Sequence, residues 1–146
     1  MLDLVLAIGH HIAVFSLLGV LAAELVLMRK GVDLQTLGRV GRIDLWYGVL
    51  AGLIVAVGFA RAIFAAKGWA YYSHNLFFHL KIATFVIIGL LSVPPTIAYI
   101  RWCRAGLAPT DAQVASVRRF LWAELLLFAF LPAFAAAMAR GYGEFS

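Results

Sequence analysis

The sequence predicts an all-α integral membrane protein, an up-down four-helix bundle with its N and C termini on the periplasmic side. Of the 146 residues, 64% are hydrophobic and only 13% are charged, whereas soluble domains have about 25% charged residues. Four apolar runs reach the roughly 20 residues that a membrane-spanning helix needs. They fill the chain as a single transmembrane domain over 1–146, so this composition excludes a disordered chain and a nucleic-acid-binding domain.

The four predicted helices follow one another with short joints, which makes neighbouring helices antiparallel. They cover about 4–28, 43–66, 76–102 and 112–139. In the second helix, Gly48 and Gly52 have the GxxxG spacing that lets two helices approach closely. We expect this stripe to pack inside the bundle rather than in a dimer. Pro94-Pro95 and Pro132 should bend the third and fourth helices, with Ser92 and Thr96 partly compensating for the lost hydrogen bonds.

The joints contain recognisable start signals and one aromatic belt. The first joint, 29–42, has room for one or two turns of interfacial helix. The second contains an aromatic belt of Trp69, Tyr71 and Tyr72, typical of a membrane face, and Ser73 and Asn75 are candidate N-caps for the third helix. In the third joint, Thr110 and Gln113 have the spacing of a capping box, so the fourth helix starts before it enters lipid.

The basic residues orient the chain in a bacterial inner membrane. The first and third joints and their flanks carry Arg29, Lys30, Arg39, Arg42, Arg101, Arg104, Arg118 and Arg119, and the other side carries Lys67 and Arg140. Because cytoplasmic loops are enriched in Lys and Arg, these two joints are predicted to be cytoplasmic. The formal net charge of +5 is therefore mostly a topology signal and not a nucleic-acid site.

A first layer of polar residues lies near the predicted periplasmic ends of the helices. It consists of His10, His11, Arg61, His79 and Lys81, with His74 just before the third helix. One interpretation is structural, with histidines bonded across helices and the two cations reaching the interface. The alternative is haem b. His10 and His79 would bind the haem iron from diagonal helices, and Arg61 and Lys81 would neutralise the propionates. His11 and His74 are secondary candidates.

A second layer lies near the predicted cytoplasmic ends and contains Glu24, Asp44 and Glu124. The simplest interpretation is ion pairing with the nearby arginines and matching of helix dipoles. Glu24 follows His10 by fourteen residues, nearly four helical turns, so both lie on one face of the first helix. If that face is the core, Glu24 and Glu124 are candidate proton-handling groups.

Short motifs in this order along the chain resemble the HemJ-type protoporphyrinogen oxidases. The resemblance is carried by His10-His11-Ile12-Ala13-Val14-Phe15-Ser16 in the first helix, His79-Leu80-Lys81-Ile82 in the third, and Arg119-Phe120-Leu121 followed by Glu124 in the fourth. It implies that His10 is a haem ligand. The CopD-like copper-resistance domains look like more distant relatives, and the whole chain most resembles a small bacterial membrane family of unknown function. The sequence departs from the oxidases at Leu17, at Asp44-Leu45-Trp46 and at Ser92-Val93-Pro94-Pro95-Thr96.

Three functions follow as hypotheses. The first is a small haem b protein of the inner membrane with a redox or electron-transfer role. The second is a HemJ-like porphyrinogen oxidase, so the sequence leaves open whether the protein is an enzyme. The third is a copper- or metal-handling protein, or a non-catalytic accessory subunit of a larger membrane complex. The expected partners are the lipid bilayer and either other membrane subunits or a second copy of the chain, but no nucleic acid.

Overall fold

The protein is an all-helical bundle in a computed structural model that describes residues 2–64 and 68–144. Its helices are α1 (Leu2–Leu27), α2 (Leu34–Phe64), α3 (Gly68–Ser73), α4 (Leu76–Ala105), α5 (Asp111–Phe128) and α6 (Phe130–Ala139). α1, α2, α4 and the α5–α6 pair are long and apolar enough to cross a membrane. The predicted fold class is confirmed. Lys67, counted above as a basic residue of the second joint, lies outside the described residues.

The four spans form a closed ring. α1 packs against α2 and α5, and α4 packs against α2, α5 and α6, while the backbones of α1 and α4 do not approach each other closely within the described residues. α1 and α4 are therefore diagonal neighbours, as predicted for an up-down bundle. We call the end that holds the start of α1 and the end of α6 the termini end. The opposite end, with joints 28–33 and 106–110, is the loop end.

Side-chain caps decide where three of the helices begin. α2 begins at Leu34, nine residues before the predicted position, because the Asp33 carboxylate accepts the Thr36 N–H at 2.6 Å. Arg39 and Arg42 interrupt the apolar run but do not interrupt a helix, which is why hydropathy placed the start too late. Asn75 caps α4 as predicted. The predicted capping box of α5 is also present, with both hydrogen bonds between Thr110 and Gln113.

The prolines have different effects in the fourth span and in α4. The fourth span divides at Ala129, three residues before Pro132, because a proline has no N–H for the carbonyl four residues earlier and its ring crowds that turn. α4 instead stays helical through Pro94 and Pro95. The Ser92 hydroxyl donates to the Gly89 carbonyl at 2.8 Å. Thr96 does not compensate locally, since its hydroxyl donates across the bundle.

The GxxxG stripe of α2 faces outward, so the prediction that it packs inside the bundle is wrong. Gly48 and Gly52 are exposed, and a Cβ at either position would meet nothing within 4 Å. Two other glycines of α2 lie beside neighbouring helices: a Cβ at Gly58 would lie 3.4 Å from His10 of α1, and one at Gly41 would lie 3.8 Å from Cys103 of α4. The spacing of small residues could not distinguish these two faces, because lipid tolerates either of them.

The bundle is apolar both inside and outside, as lipid requires. Its axis is filled by fully buried side chains, among them Leu17, Leu21, Met28, Leu37, Ile88 and Leu121. The outer surface carries large exposed apolar side chains such as Phe15, Val26, Leu45, Trp46, Leu90 and Leu126. Polar side chains in the interior are few, and they lie in two groups, one toward each end.

The C-terminal segment is fastened to the start of α4 at the termini end. The buried Asn75 amide donates to the Tyr142 carbonyl at 3.0 Å, and the Leu76 N–H donates to the Gly143 carbonyl at 2.7 Å. Tyr71 donates to the Met138 carbonyl at 2.8 Å. These bonds tie the end of the fourth span to the joint that precedes α4.

Candidate functional site

His10 is buried in the termini half of the bundle, where α1 faces α2. The residue is 6% exposed, and its Nδ1 has no hydrogen-bond partner within the described residues. Its ring lies against Gly58, where an added Cβ would be 3.4 Å from the imidazole Cε1. α2 therefore passes within van der Waals distance of the ring at this position. Buried imidazoles normally pair both nitrogens, and His10 pairs Nδ1 with nothing in the described part of the chain.

Two basic side chains that the sequence placed near His10 do lie close to it. Lys81 of α4 and Arg61 near the end of α2 lie close enough for their charges to act on the His10 ring and on each other. Lys81 is half-buried and has no hydrogen bond or ion pair within residues 2–64 and 68–144. The structure therefore brings together a buried base and two positive side chains from three helices, as the sequence indicated for His10, Arg61 and Lys81.

The other three histidines lie on the surface. His11 donates from Nδ1 to the Ala7 carbonyl at 2.7 Å, and it faces away from the bundle. His79 donates from Nε2 to the Ser73 carbonyl at 2.9 Å, and His74 donates from Nδ1 to the Ala70 carbonyl at 2.9 Å. In the part of the chain that the structure describes, no three His, Cys, Asp or Glu side chains are grouped to hold a metal ion.

The loop half of the bundle buries three carboxyl groups from three helices. We call them the acid cluster: Glu24 of α1, Asp44 of α2 and Glu124 of α5, which are 2%, 9% and 1% exposed. Each is close enough to the others for their charges to interact. Glu24 does lie on the core-facing side of α1 together with His10, which is the condition that the sequence set for its role.

Hydroxyl groups of α2 and α4 surround the acid cluster. Tyr47 donates to Glu124 Oε2 at 2.8 Å and Thr96 donates to Asp44 Oδ1 at 2.8 Å. Tyr99 reaches Glu24 Oε2 at 3.5 Å. Sequence reasoning missed both tyrosines. The signal was present, because Tyr47 follows Asp44 and Tyr99 follows Thr96 by three residues, which puts each pair on one helix face.

The arginines do not pair with these acids, so the expected Glu–Arg ion pairs are absent from the described residues. Arg118 instead donates from one guanidinium nitrogen to the Leu25 and Met28 carbonyls at 2.5 and 2.6 Å. This contact satisfies the C-terminal end of α1 and matches its dipole. Arg29, Lys30 and Arg119 line, with Arg118, an open groove beside the ends of α1 and α5. The basic residues of the loop end therefore face outward.

Fold and composition together define an integral membrane protein. It is a four-helix bundle that buries one set of polar side chains toward each end. Comparison with known families agrees: residues 2–143 match the family described as predicted membrane protein, DUF2214. The chain belongs to this family, whose description names a membrane location and no activity. No match was found among curated proteins or among solved structures. The resemblance to HemJ-type oxidases and CopD-like domains is not confirmed by these comparisons.

Proposed function

We propose that this membrane protein binds haem b in the termini half of its bundle, where His10 would hold the iron, and has a redox or electron-transfer role. The buried imidazole carries the proposal. A polar nitrogen without a partner in an apolar interior costs free energy unless a ligand takes it up. Neutral imidazole is the usual protein ligand of b-type haem iron and tolerates desolvation well.

The charges near His10 fit the rest of the haem molecule. Haem b carries two propionate carboxylates, and Lys81 and Arg61 both act electrostatically on the His10 ring. Cations inside a bilayer are costly and normally mark a partner or a function. A bound haem would supply one-electron chemistry, and its potential would follow its ligands and surroundings. The chain itself supplies a nitrogen ligand and two cations for the propionates.

The pairing of His10 with His79 is a separate part of the proposal. α1 and α4 are diagonal, which is the arrangement that a two-ligand clamp needs. His79 is exposed, however, and its ring is held by the Ser73 carbonyl. It would have to release that carbonyl and turn inward to reach a haem beside His10. The described arrangement supports His10 more directly than His79, so the two ligands need separate tests.

Visible spectra of the detergent-purified protein, oxidised and reduced, test the proposal. The protein should be produced with a haem precursor and measured beside His10→Ala and its matched neighbour His11→Ala. We expect a Soret band in the wild type, its loss in His10→Ala and its retention in His11→Ala, because His11 faces outward. A wild type without a Soret band after such expression would end the haem proposal.

Two further variants test the second ligand and the space beside His10. His79→Ala should shift haem from low-spin to high-spin if His79 is the second ligand, and should leave the spin state unchanged if it stays with Ser73. Gly58→Leu should lower the haem content, since its side chain would occupy the space beside the His10 ring. Gly48→Leu is the matched control, because position 48 of the same helix faces outward and has no neighbour within 4 Å.

A further inference from the structure

The haem proposal makes no use of the acid cluster, which is the largest group of buried ionisable side chains in the described chain. We propose that Glu24, Asp44 and Glu124 form a proton-binding site inside the membrane that exchanges protons with water at the loop end. This inference does not depend on haem, because the cluster lies in the other half of the bundle and has its own hydrogen bonds.

Unpaired buried oxygens are the first reason. Oε1 of Glu24 and Oε1 of Glu124 are both buried and have no hydrogen-bond partner within the described residues. Each of these glutamates has a hydroxyl donor only at its other oxygen, from Tyr99 and Tyr47 respectively. A proton added to a carboxyl group turns an acceptor into a donor. A bound proton therefore neutralises the negative charge that these oxygens would otherwise carry in the interior without a donor.

The second reason is that, among the residues the structure describes, no positively charged side chain is paired with the cluster. The titratable and charged side chains that face it come from all four packed helices: Glu24 from α1, Asp44 and Tyr47 from α2, Tyr99 from α4, and Glu124 from α5. Arg118, one and a half turns before Glu124, bonds to the end of α1 instead. Several ionised carboxylates without a counter-ion repel one another and are costly to bury.

A metal ion is the other cation that could neutralise the cluster, and the geometry argues against it. A metal site needs several ligands converging on one point. The described residues contain no group of three His, Cys, Asp or Glu side chains that could hold a metal ion. The three carboxyl groups are near enough to influence one another but too dispersed to chelate. A proton needs one oxygen only, so it fits this dispersed arrangement.

The proposed exchange is a simple proton transfer. Hydronium at the loop end gives a proton to a carboxylate, a water molecule leaves, and the carboxylate becomes a neutral carboxylic acid. The reverse step returns the proton. Asp44, at 9% exposure, is more accessible than Glu24 and Glu124, at 2% and 1%, so we assign Asp44 as the group that meets solvent first. Thr96 holds Asp44 in place through its hydroxyl.

Infrared difference spectroscopy of the full chain in lipid nanodiscs, titrated with acid and base, tests the proposal. Protonated carboxyl groups have a carbonyl stretch that is separate from the carboxylate bands. We expect such bands in the wild type at neutral pH, and we expect Glu24→Gln and Glu124→Gln each to lose a different one. The matched control is Glu144→Gln, since Glu144 is an exposed carboxylate of the C-terminal segment and its removal should leave these bands unchanged.

Two additional measurements keep the proposal testable if a glutamine variant does not fold. Tyr47→Phe keeps Glu124 but removes its hydrogen-bond donor, so it should shift the Glu124 band without abolishing it. The titration should also be repeated with sodium replaced by choline. The proposal would be overturned if the wild type had no carbonyl band of a protonated carboxyl group at neutral pH. It would also be overturned if none of these variants changed such a band. Bands that appear only without sodium would show that the cluster binds a metal cation instead.

Discussion

The two ends of the bundle bury polar groups of opposite character. In the termini half, the His10 imidazole lies near two basic side chains, Lys81 and Arg61. In the loop half, three carboxyl groups lie among hydroxyl donors, and the basic residues of that end point to the surface. The two ends therefore bury groups of opposite chemical type. This difference is the basis for proposing haem at the termini end and proton binding at the loop end.

The largest expected effect compares one glycine at each end. Gly143 and Gly31 both have left-handed backbone conformations, with φ of 80° and 71°. A Cβ at position 143 would lie 2.6 Å from Cδ2 of Phe77, whereas one at position 31 would meet nothing within 4 Å. Alanine at either position costs about 1–2 kcal/mol of backbone strain, and at 143 a further ~1–3 kcal/mol of overpacking. Thermal unfolding in detergent should rank Gly143→Ala well below Gly31→Ala.

That ranking tests how the termini end is closed. Gly143 accepts the Leu76 N–H, so its displacement also loosens the start of α4. If Gly143→Ala and Gly31→Ala were equally destabilising, the contact between the C-terminal segment and Phe77 would contribute nothing to stability. In that case the two ends would differ in their buried groups alone, and not in how tightly they are held.

The next prediction tests whether the loop end is held by arginine–backbone contacts rather than by ion pairs. Arg118→Met should lower the free energy of unfolding by about 1.5–3 kcal/mol, the usual contribution of hydrogen bonds from a charged group. Arg119→Met is the control, since Arg119 is exposed and surface substitutions usually stay within about 0.5 kcal/mol. If Arg118→Met lost no more stability in detergent unfolding than Arg119→Met, the contacts of Arg118 with the backbone would not stabilise this end.

Two tyrosines provide a third test, within the acid cluster. Tyr47 lies 2.8 Å from Glu124, whereas Tyr99 lies 3.5 Å from Glu24, and hydrogen bonds weaken at the longer distance. Tyr47→Phe should cost about 1–3 kcal/mol because it leaves a buried carboxyl oxygen without its donor. Tyr99→Phe should cost less. The reverse order, measured by unfolding in the same detergent, would mean that Glu24 rather than Glu124 is the more strongly held acid.

Much of this architecture could be predicted from the sequence because the signals are local or depend on composition. Apolar runs located four spans, short joints made α1 and α4 diagonal, and Thr110 with Gln113 marked the start of α5. The start of α2 could not be found from hydropathy, because a helix can extend beyond the apolar segment that crosses the membrane. The residues that follow Asp33 form helix outside the apolar run.

Side-chain direction explains what the sequence could not give. The phase of α1 predicted that His10 and Glu24 share a face, and both are buried. The same reasoning did not settle whether Gly48 or Gly58 faces a neighbour, because nearly every face of α2 is apolar. His79 was grouped with His10 by depth and by the diagonal position of its helix, but neither property tells a core position from a lipid-facing one. Tyr47 and Tyr99 were overlooked because tyrosines near a membrane interface normally serve as anchors.

The smallest expected effect concerns two capped helix starts at the loop end, outside the membrane-spanning segments. The Asp33 carboxylate accepts the Thr36 N–H, and this backbone hydrogen bond, which favours the ionised form, holds the pKa of Asp33 below its ordinary value of 3.8. Since the folded-state pKa is the lower one, the cap stabilises the helix above the unfolded pKa. That contribution is lost as the pH falls through the folded-state pKa.

Hydrogen-exchange protection factors measured across the acid range should therefore fall for the Thr36 amide in the wild type. Asp33→Asn keeps an oxygen acceptor but does not titrate, so its Thr36 protection should be nearly independent of pH. The Gln113 amide gives an internal control, because the Thr110 hydroxyl that caps it at 3.3 Å does not ionise in this range. Parallel loss at Thr36 and Gln113 would mean that acid loosens the whole loop end, and then the acid cluster rather than Asp33 would be the group to examine.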